Sequence, residues 1–205
     1  MGPSRDIPLF LASRSPRRRS LLEEWGIPYS LAEPGAEGNP PRGISPFETV
    51  LSLARGKCLG ASLPERREGP ALVLSADTLV VSPEGRLLGK PGNRREASRF
   101  LRLLSGRIHM VITGVWARIL PGDHPGKGGV ETTLVRFRPL EEEEIASYLE
   151  GGEWRGKAGA YAVQGEASRF VAALEGEREN VVGLPKGLTL FLLESLGGPW
   201  KPVAS

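Results

Sequence analysis

Four stretches of this sequence carry residues that can work on a phosphate ester or anhydride. The first is Ser15-Pro16-Arg17-Arg18, which follows apolar Leu9-Phe10-Leu11-Ala12 and the pair Ser13-Arg14. A serine followed by proline predicts a helix start, with Ser15 as the cap and Pro16 at the first helical position. Helix N-termini present unsatisfied backbone N–H groups and a partial positive charge, and both favour phosphate. Arg17 and Arg18 would add charge-assisted, bidentate donors there, although without an anion they oppose the helix dipole. A capped surface helix with solvated arginines fits the same residues.

The second stretch ends the apolar run Ala71-Leu72-Val73-Leu74-Ser75-Ala76, where Asp77 comes next. Ligands of α/β sheets gather beyond the carboxyl ends of strands, so an acid there is placed to hold metal or water. Aspartate also caps turns, which is the plainer role. The third contains two lysines. Lys90 lies in Gly89-Lys90-Pro91, and Lys57 lies on the polar side of a helical stretch. Each offers a triphosphate a compact charge, or stands solvated at the surface. The fourth, Lys157-Ala158-Gly159-Ala160-Tyr161-Ala162-Val163-Gln164-Gly165, admits close backbone approach. It ends in an amide able to donate to and accept from a base edge, although a glycine-bounded strand with Gln164 exposed reads equally well.

Composition removes several other chemistries. A single cysteine, Cys58, allows neither an intrachain disulfide nor a cysteine zinc site. Two histidines, His109 and His124, cannot build a histidine cage, so a metal would rest on oxygen ligands, as Mg²⁺ or Mn²⁺ does. The net charge of +3 suits anionic ligands without demanding them. No basic, aromatic-interleaved strip marks a nucleic-acid module, no apolar run is long enough for a membrane span, and the N-terminus shows no secretory pattern. Gly126-Lys127-Gly128-Gly129 lacks the phosphate-loop spacing and reads as a flexible hairpin loop. Cys58 and His109 read as core, and Glu141 to Glu144 as a solvated helix start.

These residues need elements to hold them. At 205 residues, with 40% hydrophobic and 25% charged, the chain reads as one soluble domain able to bury its own core. Helices are expected from Ser15 to Trp25, Phe47 to Gly60, Asn93 to Ser105, Glu141 to Leu149 and Pro185 to Leu196. Strands are expected at residues 9–12, 71–81, 108–119, 130–137, 161–163 and 170–174, the third and fourth as a hairpin. Interleaving of the two predicts an α/β fold, a mixed central sheet flanked by helices with a ligand cleft at strand ends.

Taken in order, the segments resemble the Maf family of nucleotide pyrophosphatases. The resemblance rests on Leu11-Ala12-Ser13-Arg14-Ser15-Pro16-Arg17-Arg18, Leu53-Ala54-Arg55-Gly56-Lys57, Ser75-Ala76-Asp77-Thr78, Leu88-Gly89-Lys90-Pro91, Leu103-Leu104-Ser105-Gly106, Lys157 to Gly165 and Val182-Gly183-Leu184-Pro185. It runs from about residue 8 to residue 196. It implies hydrolysis between the α- and β-phosphates with Mg²⁺ or Mn²⁺, with Asp77 as catalytic acid–base and metal-associated residue. Ser13, Arg17, Arg18, Lys57 and Lys90 would line the phosphates, and Arg17, Thr78 and Gln164 match positions linked to base choice. The form Ala-Gly-Ala-Tyr…Gln-Gly is similar to the branch acting on dTTP and UTP. The alternatives are a pyrophosphatase for another modified nucleotide, such as 7-methyl-GTP, and a nucleotide-holding regulator of cell division. Departures are Gly156 where the family has Asp, Ala162 where it has Gly, and an acidic loop reduced to Glu37, which is carried as a metal ligand with Glu33 as its substitute. A cytoplasmic enzyme, with no nucleic-acid or membrane partner and a homodimer suited to the family, completes the expectation.

Overall fold

A computed structural model describes residues 7–36, 38, 40, 43–64, 69–122 and 125–197. The strands are β1 (Leu9–Ala12), β2 (Ser30–Ala32), β3 (Ala71–Val81), β4 (Leu87–Leu88), β5 (Ile108–Leu120), β6 (Lys127–Phe137) and β7 (Val171–Glu175). They form one seven-stranded sheet in the order β2-β1-β3-β5-β6-β7, with β4 on β3. β1 pairs in parallel with both β2 and β3, whereas β4 on β3 and β7 on β6 are antiparallel. The sheet is therefore mixed. The uninterrupted burial of Leu9–Ala12 and of Ala71–Ala76 is what parallel strands covered on both faces require.

The helices are α1 (Pro16–Glu24), α2 (Pro46–Leu59), α3 (Arg94–Leu104), α4 (Glu142–Gly151), α5 (Arg178–Val182) and α6 (Lys186–Ser195). α2 opens with a reciprocal capping box: Glu48 N–H donates to Ser45 Oγ at 3.2 Å, and Ser45 N–H donates to Glu48 Oε2 at 2.9 Å. Asn93 Oδ1 accepts from Glu96 N–H at 2.9 Å and starts α3 as its sequence predicts.

By packing, the chain divides into two compact units. The first comprises Met1–Asp77, Gly114–Val130 and Gly183–Ser205. Phe10, Ala12, Ala32, Cys58, Ala71 and Val73 form a core in it, with Trp116 packed alongside. Burial pushes the Cys58 thiol up to about 11, which makes it an inert core residue. Within this unit α2 lies directly on β5. A Cβ on Gly114 would stand 2.6 Å from the Val50 carbonyl oxygen, so only glycine allows this approach.

The second unit comprises Thr78–Thr113 and Glu131–Val182, with Leu101, Leu104, Phe137, Tyr148, Tyr161 and Phe170 in its core. His109 sits there edge-on to Phe137 at 4.9 Å, with Nε2 2.8 Å from the Tyr161 hydroxyl. Burial lowers its pKa to about 4, so the imidazole is neutral at pH 7, as a structural role requires.

Three local expectations are corrected. Residues 161–163 form no strand: the chain makes short 3-10 helices at Ala158–Ala160 and Glu166–Phe170. Non-glycine Ala160 there has φ +66°, a left-handed conformation incompatible with a regular strand. Ser15 makes no side-chain cap bond to α1. Its N–H donates instead to Ser13 Oγ at 3.2 Å, which turns the start of the helix toward Ser13. Residues 127–129 begin β6 rather than a flexible loop. Trp116 explains this, because its Nε1–H donates to Pro125 at 2.8 Å and its ring lies where a Gly128 side chain would go.

Candidate active site

The phosphate-side residues of the first unit are positioned by β1 and α1. Leu21 and Leu22 bury one face of α1, and Arg18, one turn earlier, is carried into the interior with them. Buried guanidinium groups need several acceptors. Arg18 Nε donates to the Gly183 carbonyl at 2.6 Å, and its Nη1 donates to Ser13 Oγ at 3.1 Å. Burial lowers the Arg18 pKa to about 10, Asp77 raises it in compensation, and the neighbouring charge of Arg17 lowers it further. The group stays cationic at neutral pH.

These contacts orient Ser13. Its oxygen accepts from Ser15 N–H and from Arg18, which occupies both lone pairs. The hydroxyl proton is therefore the group that Ser13 presents to a ligand. Such a donor suits the oxygens of a phosphate.

Lys57 reaches the same place from α2. The helix is anchored by Ser75, whose hydroxyl donates to the Ala54 carbonyl at 2.7 Å, and by the close approach at Gly114. Lys57 stands three residues after Ala54, and its Nζ lies 2.7 Å from Asp77 Oδ1. The side chains of the pair are 11% and 17% exposed, so solvent screening is weak. Of the two readings of Lys57, phosphate contact or solvated surface lysine, the second fails: the side chain is buried and bound to Asp77. Ser13, Arg18, Lys57 and Asp77 thus form one constellation, with Arg17 electrostatically coupled to it through Arg18.

Thr78, Lys90 and Gln164 belong to the second unit. Lys90 is exposed, and Gly89 before it accepts from Gly159 N–H at 3.1 Å, so the lysine turn is tied to the Lys157–Gly165 loop. Gly159 has φ +68° and sits 2.9 Å from Val80 by a would-be Cβ, which makes glycine obligatory. Gln164 is exposed beside a turn that the Glu153 carboxylate holds by accepting from Glu166 N–H at 3.1 Å and Ala167 N–H at 3.3 Å.

Glu37 lies outside the described residues. Its substitute Glu33 is engaged elsewhere, accepting from Arg14 Nε at 2.8 Å on the surface. Among the described residues no group of three or more acids, histidines or cysteines can hold a metal. The carboxylate that the constellation brings to the site is Asp77. That fits Mg²⁺ held by one or two carboxylates, water and substrate phosphates, and does not fit an all-protein cage.

The family model described as Maf-like protein matches residues 8–196. The chain belongs to the Maf family. Curated Maf relatives include the dTTP/UTP pyrophosphatase of Symbiobacterium thermophilum, 44% identical over 191 residues, covering 93% of this chain and 95% of that one. Those of Pelotomaculum thermopropionicum and Sphingopyxis alaskensis are 44% and 43% identical, covering 92% and 93% of this chain and 96% and 97% of theirs.

Sequence reasoning missed one part of this Maf chain altogether, a buried polar network in the second unit. Thr113, Thr133 and Asn180 are all fully buried. Thr113 Oγ1–H donates to the Asn180 carbonyl at 2.9 Å, and Thr78 Oγ1 lies 3.0 Å from Thr113 Oγ1. Asn180 Nδ2 donates at 3.0 Å to both the Val111 carbonyl and Thr133 Oγ1, whose own proton goes to Glu177 O at 2.8 Å. The available signal was a threonine inside Val111-Ile112-Thr113-Gly114-Val115, an otherwise apolar run.

Proposed function

We propose that this chain hydrolyses nucleoside triphosphates, dTTP and UTP foremost, to the monophosphate and pyrophosphate in the cytoplasm, clearing standard or modified pyrimidine nucleotides. The observation that supports this best is the Asp77 carboxylate 2.7 Å from Lys57 Nζ, with the buried Arg18 guanidinium coupled to it. In the reaction a water oxygen bonds to the α-phosphorus, the bond to the bridging oxygen breaks, and pyrophosphate leaves. Asp77 either accepts the water's proton or helps to place the metal. Lys57 fixes the Asp77 carboxylate and brings a compact positive charge to the phosphate side. Ser13 donates its hydroxyl proton to a phosphate oxygen, and Arg17, Arg18 and Lys90 stabilise charge on the departing pyrophosphate. Mg²⁺ or Mn²⁺, when bound, neutralises phosphate charge as a Lewis acid.

The test is pyrophosphate release from a panel of nucleoside triphosphates with Mg²⁺ or Mn²⁺. The expected result is turnover of dTTP and UTP, with Asp77→Asn lowering kcat per folded enzyme at least ~100-fold. Turnover confined to purine substrates, or an Asp77→Asn enzyme near wild-type rate, would refute the proposal.

A further inference from the structure

Gly165 is a glycine for a reason that its backbone does not give. Its φ of −111° is extended and open to any residue. A Cβ there, however, would stand 1.5 Å from Glu153 Oε1 and 2.4 Å from the carboxyl carbon. The space beside Gly165 is filled by a carboxylate from the end of α4. That helix ends at Gly151, Gly152 turns the chain back with φ +75°, and Glu153 comes next. The two carboxylate oxygens divide the first N–H groups of the Glu166–Phe170 turn between them. Oε1 accepts from Glu166 N–H at 3.1 Å, and Oε2 accepts from Ala167 N–H at 3.3 Å.

The same helix holds the other side of the loop. Tyr148, fully buried in α4, donates its hydroxyl proton to the Ala160 carbonyl at 3.2 Å. Between these anchors the chain closes a tight turn, with Gly165 N–H donating to the Ala162 carbonyl at 3.2 Å. Gln164 is the residue before that donor, and it is exposed, so the backbone of the turn is what places its amide. A loose turn would have to be ordered when a ligand binds, whereas one clamped on both sides is ordered already on folding.

We propose that Glu153 is a positioning residue for substrate binding: through Glu166 and Ala167 it holds the turn that presents Gln164 to the nucleoside end, and Gly165 gives its carboxylate room. This rests on the triphosphatase reading above, with Gln164 among the binding residues.

The experiment measures melting temperature and steady-state kinetics on dTTP with Mg²⁺. The variants are Glu153→Ala, Gly165→Ala, Gln164→Ala, and Glu153→Ala combined with each of the other two. Glu153→Ala should raise KM about 3–10-fold, which is what ordering one freed side chain costs. Its kcat should stay within about 2-fold of wild type, because Asp77 and its partners are untouched. Gly165→Ala should match it, since the methyl group displaces the carboxylate from both N–H groups. Once residue 153 is alanine there is no carboxylate to displace, and adding Gly165→Ala should leave KM where it was. In the Gln164→Ala background Glu153→Ala should no longer raise KM, because the residue it acts through is gone.

An equal rise in KM with and without Gln164, or a fall in kcat at constant KM, would make Glu153 merely structural and overturn the inference. Additive effects of Glu153→Ala and Gly165→Ala would overturn it as well, by showing that Gly165 does not serve the carboxylate. Should Glu153→Ala not fold, Gly165→Ala with and without Gln164→Ala makes the same comparison. Wild type turning over neither dTTP nor UTP would sink the underlying function and this inference with it, whereas an active enzyme without the coupling sinks the inference alone.

Discussion

Gly114→Ala tests whether the place of α2 on β5 is set by direct backbone contact. The added methyl carbon would lie 2.6 Å from the Val50 oxygen, 2.8 Å from its carbonyl carbon and 3.0 Å from Leu51 N. Ordinary contact begins near 3.4 Å, so the elements must part by about 0.8 Å. All three atoms are helix backbone and cannot rotate aside, which puts the cost at the upper end of overpacking, ~3 kcal/mol. Replacing glycine in a strand returns roughly 0.5–1 kcal/mol through the unfolded chain. The net loss of roughly 2–3 kcal/mol corresponds to a fall in Tm of about 5–10 °C for a chain of this size.

Thermal and urea unfolding followed by circular dichroism measure it, with an unchanged m-value showing that stability alone has moved. Gly56→Ala, in the same helix, is the internal control. A Cβ there meets nothing within 4 Å, so it should stabilise by roughly 0.5–1 kcal/mol. Lys57 lies two turns along α2 from Val50, so the displaced helix also moves Nζ against Asp77. A misplacement of about 1 Å at a reacting centre costs up to ~100-fold, and kcat/KM should fall beyond the loss of folded protein. A Gly114→Ala protein melting within about 2 °C of wild type would refute the packing argument.

Two further outcomes follow from the second unit. His109 has a pKa lowered by burial from 6.5 to about 4, so between those values the unfolded chain binds more protons and stability rises with pH. Acidification through that window should cost up to ~3 kcal/mol, and His109→Phe should remove this component from the urea midpoint as a function of pH. An identical pH slope in both proteins would contradict the burial. Adjacent Gly159 and Ala160 should respond in opposite senses, since both have positive φ, at +68° and +66°. Gly159→Ala adds strain and a clash with Val80 and should lose ~2 kcal/mol or more, whereas Ala160→Gly relieves strain and should be neutral to ~1 kcal/mol stabilising. Differential scanning calorimetry of both variants decides, and equal destabilisation would show that the backbone conformation is not the cause.

The mixed α/β sheet was legible because its parallel strands are continuous apolar runs and its longer helices carry caps at their starts, as Asn93 shows. Phosphate-side residues were legible as types, a serine and arginines at a helix start and an acid after a strand. Their partnerships were not. Lys57 is a helix lysine whose sequence context does not separate an outward from an inward side chain, and its burial is set by Gly114 and Ser75, distant in the chain. The short 3-10 turns around Ala160 were missed because left-handed backbone at an alanine has no compositional signal. The Thr78–Thr113–Asn180 network was missed because threonine in a strand reads as β propensity and gives no sign of a committed proton.

Arg18 also shows why this constellation is better suited to binding anions than to stabilising the fold. Its charge is desolvated and set against a like charge on Arg17, and the attraction of Asp77 does not restore its ordinary pKa. A site evolved for stability alone is better served by apolar side chains of the same volume, because buried ion pairs seldom repay their desolvation. Arginine and lysine both buried toward one aspartate, beside a serine whose proton is kept for donation, make sense when an anion completes the site. Phosphate oxygens would add negative charge beside Arg18 in a region shielded from water. The desolvation of Arg18 is then offset by binding, and the ligand's anionic end is the one the constellation selects.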